Sequence, residues 1–125
     1  MENSKKGILR EKSYRFALRT VSLYKFLATE QREYVLSKQV LRSGTSIGAN
    51  IAEARQGQSK ADFIHKLSIS LKETYETEYW IDLLRDSEYI SPTQASSLLE
   101  DCYELQRLLT ASIKTAKNNS SRTAI

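Results

Sequence analysis

The sequence predicts an all-α protein, an antiparallel up-down-up-down four-helix bundle, and three features carry this prediction. Apolar residues recur at helical spacing in four long segments. The 125 residues include only one proline and four glycines, so turns are few and the elements should be long. The length fits one domain around a single core, and hydrophobic and charged contents of 40% and 27% are ordinary for a globular protein.

The four helices are predicted at about residues 8–28, 31–55, 60–86 and 92–117. The third follows a capping-box spacing between Ser59 and Asp62. The fourth follows Ser91, a strong N-cap residue, and opens with Pro92, which suits a first helical turn. Residues 1–7 are predicted to be a flexible N-terminus, and the polar residues 118–125 a disordered tail.

The segment LRSGTSIGANIAEA, residues 41–54, decides the form of the second helix. The apolar face that starts at Leu36 keeps its helical phase through GTSIG as far as Ala54, so we predict one unbroken helix. A glycine inside a helix costs roughly 0.5–1 kcal/mol relative to alanine. Gly44 and Gly48 therefore indicate a place where another backbone approaches closely.

The outward side of this helix carries no charge over ten residues, which is unusual for an exposed surface. A second copy of the protein is the simplest cover for it. The alternative is that small residues merely face water. The residues predicted to form an oligomer interface are Gly44, Thr45, Gly48, Ala49 and Ala52.

Patterns typical of catalysis have simpler explanations here. GTSIG matches the G-x-S-x-G nucleophile elbow, but that motif requires a preceding strand, and Ser46 lies within a helical pattern. The only histidine, His65, falls on the outer face of the third helix, which does not suit a hydrolase, and one histidine cannot supply the Glu-x-x-His motif that a di-iron bundle needs on each of two helices. Cys102 falls on an apolar stripe, and the four glycines lack phosphate-loop spacing. We predict no catalytic residue, metal or cofactor.

Polar residues beside the apolar face of helix 2 should meet helix 3. Because a short connection makes these helices antiparallel, Gln39 or Arg42 can approach Glu73 or Glu78. A half-buried carboxylate is costly without a partner. We predict a network that fixes the bundle register, with an active site as the alternative reading. The residues assigned to this buried polar network are Gln39, Arg42, Asn50, Glu73 and Glu78.

The net charge of +4 and the pI of about 9.2 are compatible with an anionic partner. Lys12, Arg15 and Arg19 are spaced three and four apart, so they share one face of helix 1 and are predicted to contact nucleic acid. A solvated helix face is the alternative. Carboxylates on helix 3 should make the surface bipolar, and the tyrosines at helical spacing suit a subunit contact.

The chain opens without an apolar run and has no stretch near the roughly 18 apolar residues of a membrane span. A cytoplasmic protein that does not contact the membrane is therefore expected.

One long stretch resembles the four-helix-bundle proteins first noted in intervening sequences of bacterial 23S ribosomal RNA genes. The resemblance covers most of residues 13–85 and weakens in the fourth helix. It rests on FALRTVSLYKFL, REYVLSKQV, the core R-S-G-x-S-I-x-x-N-I-x-E-A, and the following Asp62-Phe63 and Glu76-Thr77-Glu78. The more usual member has Ala-Ala in place of Ser43-Gly44 and Gly in place of Ala54.

The resemblance implies an antiparallel bundle that assembles into a five-membered ring, with no established enzyme activity. Related proteins are accessory factors to reverse transcriptases of diversity-generating retroelements, with positive surfaces for RNA or DNA. We therefore expect a non-catalytic, pentameric scaffold that binds nucleic acid and itself. The alternative is a protein–protein adaptor that engages a reverse transcriptase or another protein.

Overall fold

The computed structural model describes the backbone of residues 4–124 and the side chains of residues 7–119. It contains α1 (Ser4–Thr29), α2 (Leu36–Ala54), α3 (Lys60–Asp86) and α4 (Pro92–Ala124). Each helix packs against the next, and α4 also packs against α1, while among these residues no Cα atom of α1 lies within 8 Å of one in α3, nor one of α2 within 8 Å of α4. The all-α, up-down-up-down bundle is confirmed.

The core consists of the apolar stripes of all four helices. α2 runs unbroken through Gly44 and Gly48, as predicted, and buries Val40, Ile47 and Ile51. These side chains meet the fully buried members of the other helices, and burial of each is worth about 1.5–3 kcal/mol. The large side chains at the centre are Phe16, Leu27, Leu67, Ile81, Leu84, Leu105 and Leu109.

The predicted start of the second helix at residue 31 is wrong, because α2 begins at Leu36. The connection before it turns at Arg32, which has a positive φ of 53°. The Glu33 carboxylate then accepts hydrogen bonds from the backbone N–H groups of Val35, Leu36 and Ser37, at 3.2, 2.9 and 2.7 Å. These N–H groups have no partner within the helix, so Glu33 caps α2.

Ser59 and Ser91 cap α3 and α4 as predicted, but the Asp62 carboxylate accepts from the Gln58 N–H at 3.3 Å rather than from the Ser59 N–H, so the box at α3 is not reciprocal. Ser59 Oγ accepts from the Asp62 N–H at 3.1 Å. Ser91 Oγ accepts from the Gln94 N–H at 3.0 Å, and the Gln94 carbonyl oxygen accepts from the Ser91 N–H at 2.8 Å. These reciprocal bonds satisfy N–H groups that the helix start leaves free.

The outer helices are longer than predicted. α1 begins at Ser4 rather than at residue 8, and α4 continues to Ala124 rather than ending at residue 117. Residues 1–3 of the predicted flexible N-terminus and residue 125 of the predicted tail lie outside the described residues. Within the described chain, no helix combines the length and apolarity that a membrane crossing requires.

Candidate nucleic-acid interface and assembly faces

The cations of the predicted stripe line the seam between α1 and α4. Lys12 Nζ lies 3.2 Å from Glu104 Oε2, and Arg19 Nη1 lies 2.7 Å from Asp101 Oδ2. Arg19 also donates to the carbonyl oxygen of Ser97 at 3.3 Å and to its hydroxyl at 2.9 Å. The structure thus gathers the stripe on one face but gives two of its cations a carboxylate partner.

Arg15 stands between these two ion pairs. It is exposed and makes no ion pair with any described residue. The side chains of Lys12 and Arg19 are 37% and 39% exposed, so water and dissolved ions reach both pairs. Exposed ion pairs of this kind contribute roughly 0–1 kcal/mol. A phosphate approaching Arg15 can therefore compete with the α4 carboxylates.

Further cations gather where α1 begins, α2 ends, α3 begins and α4 ends, which we call the basic end. The five cations named below form no ion pair with a described residue. Carboxylates gather at the opposite end of the bundle, which we call the acidic end. Charge is therefore unevenly distributed along the bundle axis. The basic end carries Arg10, Arg55, Lys60, Lys114 and Lys117, which outnumber Glu11, Glu53 and Asp62 there, and the acidic end carries Glu30, Asp82, Asp86, Glu88 and Glu100, which outnumber Arg32, Lys38 and Arg85 there.

A mainly apolar groove of about 580 Å³ opens at the basic end between α1, α3 and α4. Its walls include Ile8, Phe63 and Leu108, and Lys60 lies at its margin. The α1–α4 seam is thus bridged by ion pairs near its middle and open at the basic end.

Arg42 links α2 to α3 on the other side of the bundle. Its guanidinium donates to Glu73 Oε1 at 3.4 Å and to the Glu76 carboxylate, which also accepts from Trp80 Nε1 at 3.0 Å. The bond from Arg42, reinforced by the bond from Trp80, lowers the pKa of Glu76 below its ordinary range. This exposed cluster bridges two helices and includes one predicted contact, between Arg42 and Glu73.

The prediction of one buried five-residue network needs correction. Glu78 lies on the α4 side of α3 and accepts from Gln106 Nε2 at 2.9 Å. Asn50 donates to the Ser46 carbonyl oxygen within α2 at 2.9 Å, and Gln39 is exposed. The short antiparallel connection suggested proximity, but the rotation of each helix about its axis separates these residues.

The buried polar groups that cross between helices include small hydroxyls, which the sequence reading missed. Ser70 Oγ donates to the Ile47 carbonyl oxygen, and Thr77 Oγ1 donates to Ser43 Oγ, both at 2.8 Å. The sequence did contain a signal for these hydrogen bonds, because serine and threonine recur at core positions of α2 and α3. Ser37 Oγ is also buried but finds no partner among the described residues.

Cys102 is buried, and its thiol donates to the Thr74 carbonyl oxygen at 3.1 Å. Burial, with the nearby Glu78 carboxylate as the next cause, raises the pKa of the Cys102 thiol to about 12. The thiol therefore stays protonated at neutral pH and is a core residue rather than a nucleophile.

The residues of the hydrolase-like motif are also accounted for. Ser46 lies within α2 and donates to the Arg42 carbonyl oxygen at 2.7 Å, so GTSIG does not form a strand-to-helix elbow. His65 is exposed on α3. The part of the chain that the structure describes contains no group of three residues able to hold a metal ion.

The α2 glycines pack inside the chain, against α1. A Cβ built on Gly44 would lie 2.5 Å from Thr20 Cγ2, whereas one built on Gly48 would lie 3.4 Å from the Ser13 carbonyl oxygen. Gly44 is buried, so its place in the predicted oligomer interface is corrected: its small size serves the contact between α1 and α2.

Gly48 is half-buried against Ser13 of α1, whereas the three remaining predicted interface residues lie on the outward side of α2. Ala49 and Ala52 are exposed and Thr45 is half-buried. On the neighbouring helix, Tyr14 and Leu18 are 65% and 52% exposed. We call these five residues the α1–α2 face. It is an uncharged surface in which small residues of α2 lie beside two large side chains of α1.

Three tyrosines of α3 and α4 are also exposed, and we refer to them together as the α3–α4 face. Tyr75, Tyr79 and Tyr103 are 53%, 60% and 39% exposed. The Tyr79 ring also contacts Trp80 edge-on, at 5.1 Å between ring centroids. Partial burial, together with the adjacent Glu78 and Asp82, raises the pKa of Tyr103. This face is therefore aromatic and bordered by carboxylates.

A match to a family model shows to which family the chain belongs. The model of the 23S rRNA-intervening sequence protein matches residues 5–111, which include all of α2 and α3. The chain belongs to the 23S rRNA-intervening sequence protein family. The resemblance carried by the α2 core and by the acidic segment of α3 is thereby confirmed.

A solved structure supports membership of the 23S rRNA-intervening sequence protein family. It is a crystal structure of a protein of unknown function from the S23 ribosomal protein family of Bacteroides thetaiotaomicron, 57% identical in sequence. The similarity covers 88% of this chain and 98% of that chain, with a TM-score of 0.87. A search of curated proteins found no match. Family and neighbour thus establish the fold but name no activity.

Proposed function

We propose that the protein is a non-catalytic scaffold of the cytoplasm that assembles with further copies of itself and binds nucleic acid. The observation that carries this proposal is the segregation of charge along the bundle. The basic end and the adjoining Arg15 present cations that form no ion pair with a described carboxylate. Nucleic acid is the polyanion that such a surface suits, because each phosphate contact releases counterions.

Lys12, Arg15 and Arg19 are the proposed phosphate contacts, with Arg10 extending the surface toward the basic end. Arg15 offers the first contact because it is free, and Lys12 and Arg19 join when phosphate displaces Glu104 and Asp101.

Assembly would strengthen this surface. A symmetric oligomer repeats the basic end once per copy, and the family resemblance leads us to propose a pentamer. The α1–α2 face supports self-association because Tyr14 and Leu18 expose apolar surface beside the uncharged Thr45, Ala49 and Ala52. Several weak phosphate sites held together bind a long polyanion more tightly than one site alone.

Salt-dependent binding of labelled RNA and DNA, measured by fluorescence anisotropy, tests the proposal. We expect affinity to fall steeply with salt, and the triple variant Lys12→Ala, Arg15→Ala, Arg19→Ala to flatten the salt slope. The matched control is Lys25→Ala, Arg32→Ala, Lys38→Ala, which removes the same charge elsewhere. Absence of salt-dependent binding, or equal losses in both variants, refutes the proposed interface.

A protein–protein adaptor is the second candidate, favoured by the exposed tyrosines of the α3–α4 face. Tyrosine is enriched at binding hot spots because it buries a large ring at little entropic cost. The partner would be another protein, such as the reverse transcriptase that the resemblance suggests. Affinity capture after nuclease treatment distinguishes the candidates, since a protein that stays bound without nucleic acid supports the adaptor.

A further inference from the structure

The apolar groove at the basic end is a site that the proposed function does not use. Its volume of about 580 Å³ falls within the roughly 300–1,000 Å³ of pockets that hold small ligands. Its wall on α4 runs from Leu108 to Asn119, which is about 16 Å along the helix axis. The apolar residues that line it are Ile8, Leu9, Phe63, Leu108, Ala111 and Ala116.

The ion pair between Lys12 and Glu104 limits the width of the groove. Ile8 lies one helical turn before Lys12 on α1. Leu108 lies one turn after Glu104 on α4, so the groove begins where the ion pair ends. A helix with its side chains is about 10–12 Å across. Because the ion pair joins α1 to α4 only one turn away, the gap is too narrow for a third helix but suits a flexible alkyl chain.

Charge at the groove selects an anion. Lys60 is the only charged residue among the described residues that line it, and it forms no ion pair with a described residue. It is the first residue of α3, where the positive end of the helix dipole adds to its charge. Asp62 in the same turn lines a separate groove beside α2, where it accepts from the Gln58 N–H at 3.3 Å. A ligand carboxylate therefore meets an unpaired cation.

We propose that the groove binds a free long-chain fatty acid as its anion. The acyl chain lies over the buried Leu9 and Ala116, and its burial covers the exposed apolar surface of Ile8, which supplies the driving force. Because α3 runs antiparallel to α4, Lys60 lies at the outer end of the groove and receives the carboxylate. Thr115 lies toward the same end, and its hydroxyl donates to no described residue, so it can donate to the ligand.

Isothermal titration calorimetry of the full chain with dodecanoate, below its micelle concentration, tests the site. We expect saturable binding of one dodecanoate per chain. Butanoate keeps the carboxylate without the long chain, and dodecyltrimethylammonium keeps the chain but carries a cation. Both should bind at least about tenfold more weakly, because the first buries less apolar surface and the second meets Lys60 as a like charge. Equal affinity for the cationic amphiphile overturns the proposal, as does binding to anionic phospholipid vesicles without binding of dodecanoate.

Variants of the lining locate the ligand. Ala111→Trp fills the groove and should weaken dodecanoate binding at least about tenfold, and Lys60→Gln should weaken it several-fold. Thr110→Trp and Lys72→Gln are the matched controls, because both residues lie outside the lining on the same two helices and should keep the wild-type affinity. All four positions are exposed, so each variant should fold, and circular dichroism checks this. An unaffected Ala111→Trp variant, or equal losses in a variant and its control, overturns the assignment.

Discussion

Gly44 of α2 lies so close to Thr20 of α1 that even a methyl group at position 44 would stand 2.5 Å from Thr20 Cγ2 and 2.6 Å from Thr20 Oγ1. Thr20 is buried and its hydroxyl is held by the Phe16 carbonyl oxygen at 2.7 Å, so it cannot easily turn away. This contact explains why α2 tolerates a glycine in its interior.

Gly44→Ala should therefore lower the free energy of unfolding by about 1–3 kcal/mol, because overpacking outweighs the helix propensity gained. Gly48→Ala is the matched control. Its Cβ would make ordinary contacts at 3.4 Å, so it should be neutral or stabilising by up to about 1 kcal/mol. Urea unfolding of both variants measures the difference, and equal effects would contradict the tight contact at Gly44.

Neutralising the carboxylates that pair with the stripe should tighten nucleic-acid binding. Asp101→Asn with Glu104→Gln frees Arg19 and Lys12, so we expect an affinity several-fold higher, measured by anisotropy at fixed salt. Glu30→Gln with Glu88→Gln removes the same charge at the acidic end and is the control. Equal gains in both variants would show a net-charge effect and no role for these two ion pairs.

Replacing two buried serines by alanine should affect stability differently, because only one of the two hydroxyls has a hydrogen-bond partner. Ser37→Ala removes a hydroxyl that has no partner, so stability should rise or stay unchanged. Ser70→Ala removes the hydrogen bond to Ile47, and stability should fall by about 1 kcal/mol. Thermal unfolding compares the two. A loss of stability in Ser37→Ala would reveal a partner for its hydroxyl.

The Cys102 thiol should resist alkylation and disulfide exchange in the folded protein at pH 8. Its pKa of about 12 leaves very little thiolate, and burial blocks the reagent. Reaction with a chromogenic disulfide should become rapid only in denaturant, and the unfolded chain serves as the positive control. Rapid labelling of the native protein would contradict this environment.

Acid should release the link between Arg42 and Glu76. Because hydrogen bonds lower the folded-state pKa of Glu76, its contribution to stability is present above the ordinary pKa and lost as the pH falls below about 4. Trp80 is the only tryptophan and donates to the same carboxylate, so its fluorescence reports the change. Glu76→Gln should abolish the acid step, and a persistent step would assign it to another group.

Helical periodicity alone specified four helices, their antiparallel order and the unbroken course of α2, because these depend on local spacing and short connections. The caps at Ser59 and Ser91 were also readable, since a cap is a contact between residues close in sequence. The turn before α2 was missed because Glu33 caps from two residues before the usual position, where no standard pattern marks it.

The contacts between side chains of different helices could not be predicted from local spacing. Spacing placed Lys12 and Arg19 on one face, but only the packing of α4 beside α1 gave them Asp101 and Glu104. Glu78 likewise turned to Gln106 on α4 rather than to α2. These contacts depend on the rotation of each helix about its axis, which the sum of all packing interactions settles. The spacing of apolar residues in one segment predicts which side of that helix is buried. It does not predict which neighbouring helix lies beside each polar residue.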